Sequence, residues 1–293
     1  MEKVDAFRYI DQHKESCAIA FMCRKLGVTR GGYYAWRKRS KSQRKLVDER
    51  LLERIQEVHN ASKNTYGYPR VHLALKGEGI ICGRNRIARL MRENSIVAKM
   101  ARKFKRHTHK HVLFRDSSNL LLDKAPETAI NQVWVGDITY IRVGAKWAYL
   151  STVMDRYSRE IIGWSFSRER TAALIREALL MAIEEKQPPA KTIFHSDQGA
   201  EYASKEYRQA LEDNGFQVSM SRKGHCWDNA YMESFFHTLK TEMVYFMKFR
   251  HLAEAIAHIM EYMRFYNHER IHSGIAYLTP NQVANSFERQ GVN

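Results

Sequence analysis

The stretch Gln132–Arg142, QVWVGDITYIR, sets an acidic residue, Asp137, inside a run of aromatic and β-branched residues. Such a run predicts a strand. A carboxylate within a central strand is costly to bury unless it is paired, protonated or bound to a metal. The chain therefore has to build a sheet around a charged group that needs company. A second stretch, FHSDQGAEY at residues 194 to 202, makes the same demand. Thr192-Ile193-Phe194 runs into His195-Ser196-Asp197, and Gln198-Gly199 turns the chain, which leaves Asp197 at a strand tip.

The surrounding pattern is that of a sheet with helices. Val143-Gly144-Ala145-Lys146 reads as a hairpin turn, Trp147–Met154 as a second strand and Glu160–Ser165 as a third. Residues 170–186 read as a helix ended by Pro188-Pro189, Lys191–His195 as a fourth strand, 204–214 as a helix ended by Gly215, and Phe216–Met220 as a short fifth strand. A longer helix begins near Asp228, which suits an N-cap. Sequential strands followed by alternating helices and strands predict an α/β fold: a mixed five-stranded sheet with flanking helices.

The long helix supplies a third acid, Glu233, in HCWDNAYMESFFHTLK. Met232, Phe235, Phe236, Leu239 and Met243 form its apolar face, and Asn229, Glu233 and Lys240 fall together on one flank. Three converging carboxylates make an all-oxygen site for a hard divalent cation such as Mg²⁺. Two such ions, roughly 3.5–4 Å apart, activate an attacking oxygen and stabilise a leaving one in phosphoryl transfer. Pattern alone leaves Glu201 and Glu242 as rival third acids. Asp155, in VMDRYSRE, reads instead as a turn starter or a partner of Arg156 or Arg159.

The first 111 residues differ in kind, being basic and helical. The whole chain of 293 residues carries 48 Lys and Arg against 32 acids, a net charge of +16. That length predicts roughly two domains, and that charge points to nucleic acid, because phosphate neutralisation gives binding without base reading. Ile19, Met22, Cys23 and Leu26 mark one short helix; Gly27-Val28-Thr29 breaks it, and Arg30–Arg39 starts again with Thr29 as N-cap. A second pair runs from about Pro69, through a Gly77-Glu78-Gly79 turn, to a helix from about Arg84. Ile87, Leu90 and Met91 form the inner face of that last helix, leaving Arg86, Arg89 and Arg92 outside. Helix pairs of this kind can lay their second helix in a major groove. Residues 98–111, AKMARKFKRHTHKH, hold six Lys or Arg, three His and no acid, a linker able to track a phosphate backbone.

Other classes fit poorly. No segment has the length of a spanning helix, the N-terminal stretch lacks a signal-peptide apolar region, and the expectation is a cytoplasmic protein with no membrane partner. Cys17, Cys23, Cys82 and Cys226 show no CxxC spacing and read as reduced thiols.

WVGDITYI, MDRYSREIIGW, FHSDQGAEY and SRKGHCWDNAYMESFFHTLKTE together resemble the integrase-type DDE transposases of bacterial insertion sequences, the downstream-frame products related to retroviral integrases. Thirty-five residues lie between Asp197 and Glu233, the family's D,D(35)E spacing, and Lys240 stands where its signature has a basic residue. YGYPRV with NRIARLM upstream and FYNHERIHSGIAYLTP downstream extend the likeness over nearly the whole chain, weakening before about residue 45. The resemblance implies a ribonuclease-H-like core, with Asp137, Asp197 and Glu233 as catalytic residues and ligands of two Mg²⁺ ions, Mn²⁺ being an acceptable substitute. It implies nicking at the ends of the element and transfer of the freed 3′-OH to another phosphodiester.

The expected partners are DNA, as terminal inverted repeats and as target, further copies of the chain on paired ends, and a helix-turn-helix protein of the upstream frame, free or fused. Expected DNA contacts are Arg84, Arg86, Arg89, Lys103, Lys105 and Arg106 in the basic half, and Asn229 and Lys240 on the catalytic helix. His195 reads as structural support rather than general base, and Tyr266, Asn267, Arg270 and His272 as packing.

The expected domains are a helix-turn-helix-like segment at 1–45, a second at 46–97, a basic linker at 98–126, the catalytic core at 127–246 and a helical tail at 247–293. The competing functions are a nuclease of the same fold that cuts without joining, and a DNA-binding regulator. The first has no need of about a hundred basic helical residues, and the second predicts the loss of an acid.

Overall fold

A computed structural model describes residues 2–38, 42–99, 119–122, 124–222 and 229–290. The chain divides into two compact units, Met1–Ile55 and Gln56–Asn293.

The first unit is helical. Helices α1 (Lys3–Gln12), α2 (Ile19–Lys25) and α3 (Arg30–Lys38) close on Ile10, Met22, Cys23 and Tyr33. The Tyr33 hydroxyl donates to Asp11 at 2.9 Å. Thr29 caps α3, its hydroxyl accepting from the Gly32 N–H at 3.1 Å, which is the cap the Gly27-Val28-Thr29 break predicts. Helix α4 (Gln43–Ala61) follows.

The second unit begins with the other helix pair, α5 (Tyr68–Gly77) and α6 (Arg84–Glu93). Val71 and Leu75 of α5 and Ile87, Leu90 and Met91 of α6 are buried, so the inner face predicted for α6 is the one that packs.

The sheet contains β1 (Val133–Val143), β2 (Lys146–Asp155), β3 (Ile161–Ser167), β4 (Ile193–Ser196) and β5 (Gln217–Met220), in the order β3-β2-β1-β4-β5. The first three strands form an antiparallel meander; β4 lies parallel to β1, and β5 parallel to β4. Each strand falls within one or two residues of its sequence expectation.

Helices α7 (Ala172–Lys186) and α8 (Lys205–Asp213) bury one face around Trp134, Phe194 and Phe216. At Gly163 of β3 a methyl group would sit 2.1 Å from the Ala178 carbonyl oxygen, so the absence of a side chain sets how closely α7 lies on the sheet.

Helices α9 (Ala230–Glu242) and α10 (Leu252–His268) cover the opposite face, and α11 (Pro280–Gln290) follows. The segment expected as a tail from residue 247 is part of the core. Ala255, Ile259, Tyr262, Met263, Phe265 and Tyr266 of α10 pack in the same cluster as Val133, Val135 and Ile141 of β1. The reason is area: α9 alone presents too narrow an apolar stripe to cover that face of the sheet.

Candidate active site

The site grows from the parallel pairing of β1 and β4. Val133, Trp134 and Val135 pair with Ile193, Phe194 and His195, and the ladder then stops. Asp137 and Asp197 each lie two residues beyond the last rung, Asp137 still within β1 and Asp197 just past the end of β4. Ligand sites of open α/β sheets collect at these carboxyl ends of parallel strands. Local hydrogen bonds orient both acids. Asp137 Oδ1 accepts from the Ile138 N–H at 2.7 Å, and Asp197 Oδ1 accepts from the Gly199 N–H at 2.9 Å.

The third acid is set by the start of α9. The Asn229 side-chain amide donates to the Gly136 carbonyl at 3.3 Å, tying the first turn of α9 to the residue before Asp137. Glu233 follows one turn later on the same flank. Gly136 also admits the Phe194 ring, whose Cζ would lie 2.6 Å from any Cβ placed there.

Burial, and next the negative charge of Asp197, raise the Asp137 pKa well above the ordinary carboxylate range; Glu233 adds to this, while the Ile138 N–H and Arg170 oppose it. Acids beyond the end of β4 and on α9 thus bear on the one within β1. Among the described residues no three or more His, Cys, Asp or Glu side chains are gathered closely enough to hold a metal ion together. The donors themselves, hard carboxylate oxygens near strand ends, are of the type that suits a hard divalent cation completed by water and phosphate.

Both rival acids have other employment. Glu242 is buried against Arg270, with contacts of 2.9 Å to Nε and 2.8 Å to Nη2, and accepts from the Tyr262 hydroxyl at 3.0 Å. Glu201 is held by Arg170 at 2.7 Å. Asp155 makes a turn, accepting from the Asn131 N–H at 2.7 Å and the Ser158 N–H at 2.7 Å.

His195 is fully buried, and its ring nitrogens meet the hydroxyls of Ser219 at 2.8 Å and Ser221 at 3.0 Å. It buttresses β4 against β5. The four residues of the C-terminal segment also pack. Tyr266 meets Phe235 edge to face at 4.8 Å. Asn267 brackets Ile161, accepting from its N–H at 3.0 Å and donating to its carbonyl at 2.8 Å. Arg270 holds Glu242, and His272 Nδ1 accepts from the Gly274 N–H at 3.1 Å.

The expected DNA contacts divide. Lys240, in the last turn of α9, places its ammonium 4.6 Å from the centre of the Tyr140 ring. Burial lowers its pKa, and the charge of Asp137 opposes that shift. Asn229, also expected at DNA, is 6% exposed, and its side-chain NH2 donates to the Gly136 carbonyl of β1. A helical wheel puts it beside Glu233 and Lys240 without showing that the first turn is covered.

Arg84 is exposed, with its guanidinium 5.2 Å from the Tyr68 ring centre. Arg86 is half-buried, and Arg89, also half-buried, pairs with Glu93 at 2.8 Å. Lys103, Lys105 and Arg106, most of the basic linker, and Asp228 lie outside the described residues. Sequence reasoning missed Tyr140. Its signal was an aromatic at an outward position of β1, three residues after the acid.

Comparison with known proteins agrees with this architecture. Residues 127–226 match the integrase core domain, residues 214–280 a second integrase core domain profile, and residues 47–104 an HTH-like domain. The insertion element IS600 uncharacterized 31 kDa protein of Shigella sonnei is 42% identical over 260 residues, spanning 88% of this chain and 96% of its own length. Transposase InsF for insertion sequence IS3A, from Escherichia coli (strain K12), is 36% identical over 280 residues, spanning 94% of this chain and 97% of its own. The catalytic core domain of HTLV-2 integrase, solved in complex with magnesium, aligns with 54% of this chain and 98% of its own at 17% identity and a TM-score of 0.39. With integrase-core and HTH-like domains in series and a transposase relative matched along nearly its full length, the chain belongs to the integrase-core transposases of bacterial insertion sequences.

Proposed function

We propose that this chain cuts the ends of its insertion element and joins the freed 3′-OH to another phosphodiester, using Asp137, Asp197 and Glu233 to hold Mg²⁺. The observation that carries the reading is the placement of Asp137 and Asp197 two residues past the last β1–β4 rung, near enough for the charges of Asp197 and Glu233 to bear on Asp137. A buried carboxylate whose ionisation its acidic neighbours oppose gains from a divalent cation. When bound, a pair of such ions polarises the scissile phosphate and activates the attacking oxygen, and Mn²⁺ suits the same oxygens.

The chain's own residues orient. The Ile138 and Gly199 N–H groups fix one oxygen each of Asp137 and Asp197, leaving the other for ligation. Asn229 holds the start of α9 against β1, so that Glu233 faces the strand ends. Lys240, about 10.5 Å along the helix from Glu233, holds a phosphate of the element's terminal nucleotides rather than the metal. Arg84, Arg86 and Arg89 and the linker cations Lys103, Lys105 and Arg106 take DNA phosphates.

Joining two ends at one target requires two active sites on one DNA complex. The reading therefore includes assembly of further copies on paired inverted repeats, with an upstream-frame helix-turn-helix protein as partner or fusion. The place of action is the bacterial nucleoid; among the described residues no helix is long and apolar enough to cross a membrane. The test is end cleavage and joining on a labelled element terminus with Mg²⁺, where a product nicked at the 3′ end but never joined identifies a nuclease.

A further inference from the structure

The outer half of the β1–β2 hairpin presents an unusual surface. Tyr140 and Arg142 of β1 pair with Tyr149 and Trp147 of β2, so these four side chains share one face of the sheet. Tyr140 and Trp147 are 49% and 46% exposed, and their rings meet edge to face with centres 5.1 Å apart. Each ring carries a cation. The Lys240 ammonium lies 4.6 Å from the centre of Tyr140, and the Arg142 guanidinium 5.2 Å from that of Trp147.

The hairpin turn beside them borders a shallow pocket of about 550 Å³ that includes Lys146, Trp147, Arg168 and Arg250. Arg142 and Arg168 each donate to a turn carbonyl, Gly144 at 3.2 Å and Val143 at 3.0 Å, and a guanidinium has five donors. A cross-strand aromatic pair is enough to steady a hairpin. It does not require that both rings stay in water among five cations.

We propose that Tyr140 and Trp147 form a stacking platform for unpaired DNA bases, with Arg142, Lys146, Arg168 and Arg250 holding the phosphates of that strand. Single-strand binders combine these parts: aromatic rings for bases of any sequence and a positive track for the backbone. The location fits. Tyr140 is three residues beyond Asp137, about 10 Å along β1 and on its opposite face, so a strand reaching it, roughly three nucleotides at 3.4 Å each, passes the β1 edge left open where the β4 ladder stops. Lys240 spans the interval, feeling the charge of Asp137 and touching Tyr140. The platform would receive the strand continuing from the phosphate at the acids. It rests on the proposed reaction only for the source of that strand, since binding to the platform needs neither metal nor cleavage.

The test uses the full chain in EDTA, with a labelled oligothymidylate of about eight nucleotides and a blunt duplex of equal length. Anisotropy gives both affinities. Trp147→Ala and Tyr140→Ala should each weaken oligothymidylate binding about tenfold, the effect of losing one stacked base, and change duplex binding less than about twofold. Trp147→Phe, which keeps a ring and guards against misfolding, should stay within about threefold of the unaltered chain for the oligonucleotide.

Unchanged oligonucleotide binding in both alanine variants overturns the proposal. So does equal weakening for single strand and duplex, which marks a general basic surface. A changed elution volume with unchanged oligonucleotide binding assigns the face to contact between copies, and also overturns it. Because no metal is present, failure of the platform and failure of the cleavage reading give different results.

Discussion

Asp137 and Asp197 stand two residues past the Val135–His195 rung, where the parallel ladder of β1 and β4 ends. Burial, and next the Asp197 charge, raise the pKa of Asp137. A cation held by these acids would relieve that repulsion.

The first consequence is thermal. Asp137→Asn removes one repelling charge with little change of shape, and should raise Tm in EDTA by roughly 2–4 °C, the shift that about 1 kcal/mol produces in a chain of this size. Mg²⁺ should raise the Tm of the unaltered protein by mass action and that of the variant much less. Differential scanning fluorimetry with and without Mg²⁺ reads both effects. A variant that melts lower in EDTA while gaining as much from Mg²⁺ would remove Asp137 from the site.

Lys240 is expected to act on DNA and not on the metal. Lys240→Ala should slow joining about tenfold, the loss of one charge-assisted contact of roughly 1.5 kcal/mol, and raise the DNA concentration needed. Lys240→Arg should be milder, since charge is kept while the head group changes shape. Joining rates titrated against Mg²⁺ and against DNA separate the two roles. A displaced Mg²⁺ optimum with an unchanged DNA optimum would assign the lysine to the acids.

The Glu242–Arg270 pair anchors the end of the catalytic helix and should be costly to break. Arg270→Ala leaves the buried carboxylate only Arg70, at 3.7 Å, and the Tyr262 hydroxyl, and is expected to cost about 3 kcal/mol, the low end for breaking a buried pair. Replacing both residues by methionine should recover most of that loss. Urea unfolding of the two variants distinguishes this pair from an exposed one, for which both changes would be nearly silent.

Acid should weaken the C-terminal segment through His272. Burial, then the charges of Arg270 and Arg159, lower its pKa from 6.5 to about 4, and its Nδ1 accepts a hydrogen bond only when unprotonated. The unfolded chain therefore binds a proton that the folded chain refuses. Stability is full above about pH 6.5 and falls as the pH drops toward 4, by on the order of 1–2 kcal/mol once solvent screening of a part-exposed ring is allowed for. Melting curves of the unaltered chain and His272→Asn from pH 7 to 4.5 should converge as the pH falls; parallel curves would contradict this.

Much of this was legible in the sequence, for reasons of local physics. Alternating β-branched and aromatic residues mark the strands, prolines and Gly215 mark the helix ends, and a carboxylate inside QVWVGDITYIR demands a partner wherever it is placed. What the sequence concealed depends on distant contacts. The choice of Glu233 over Glu242 and Glu201 rests on Arg270 and Arg170, which occupy the two rivals from 28 and 31 residues away. The role of α10 rests on Asn267 meeting Ile161, 106 residues earlier. The burial of Asn229 has the same origin, since a helical wheel gives angle around the axis and not the strand lying beneath the first turn.

The claim that Asp137, Asp197 and Glu233 form one metal-dependent site is tested most directly by cleavage of a labelled element end with Mg²⁺, run beside a gel shift on the same DNA. Asp137→Asn, Asp197→Asn and Glu233→Gln should each lose nicking and joining by about 100-fold or more, since even groups that only support a metal's ligands are worth 10–100-fold. Each should retard the DNA as the unaltered chain does. Full cleavage by Asp197→Asn would contradict the account.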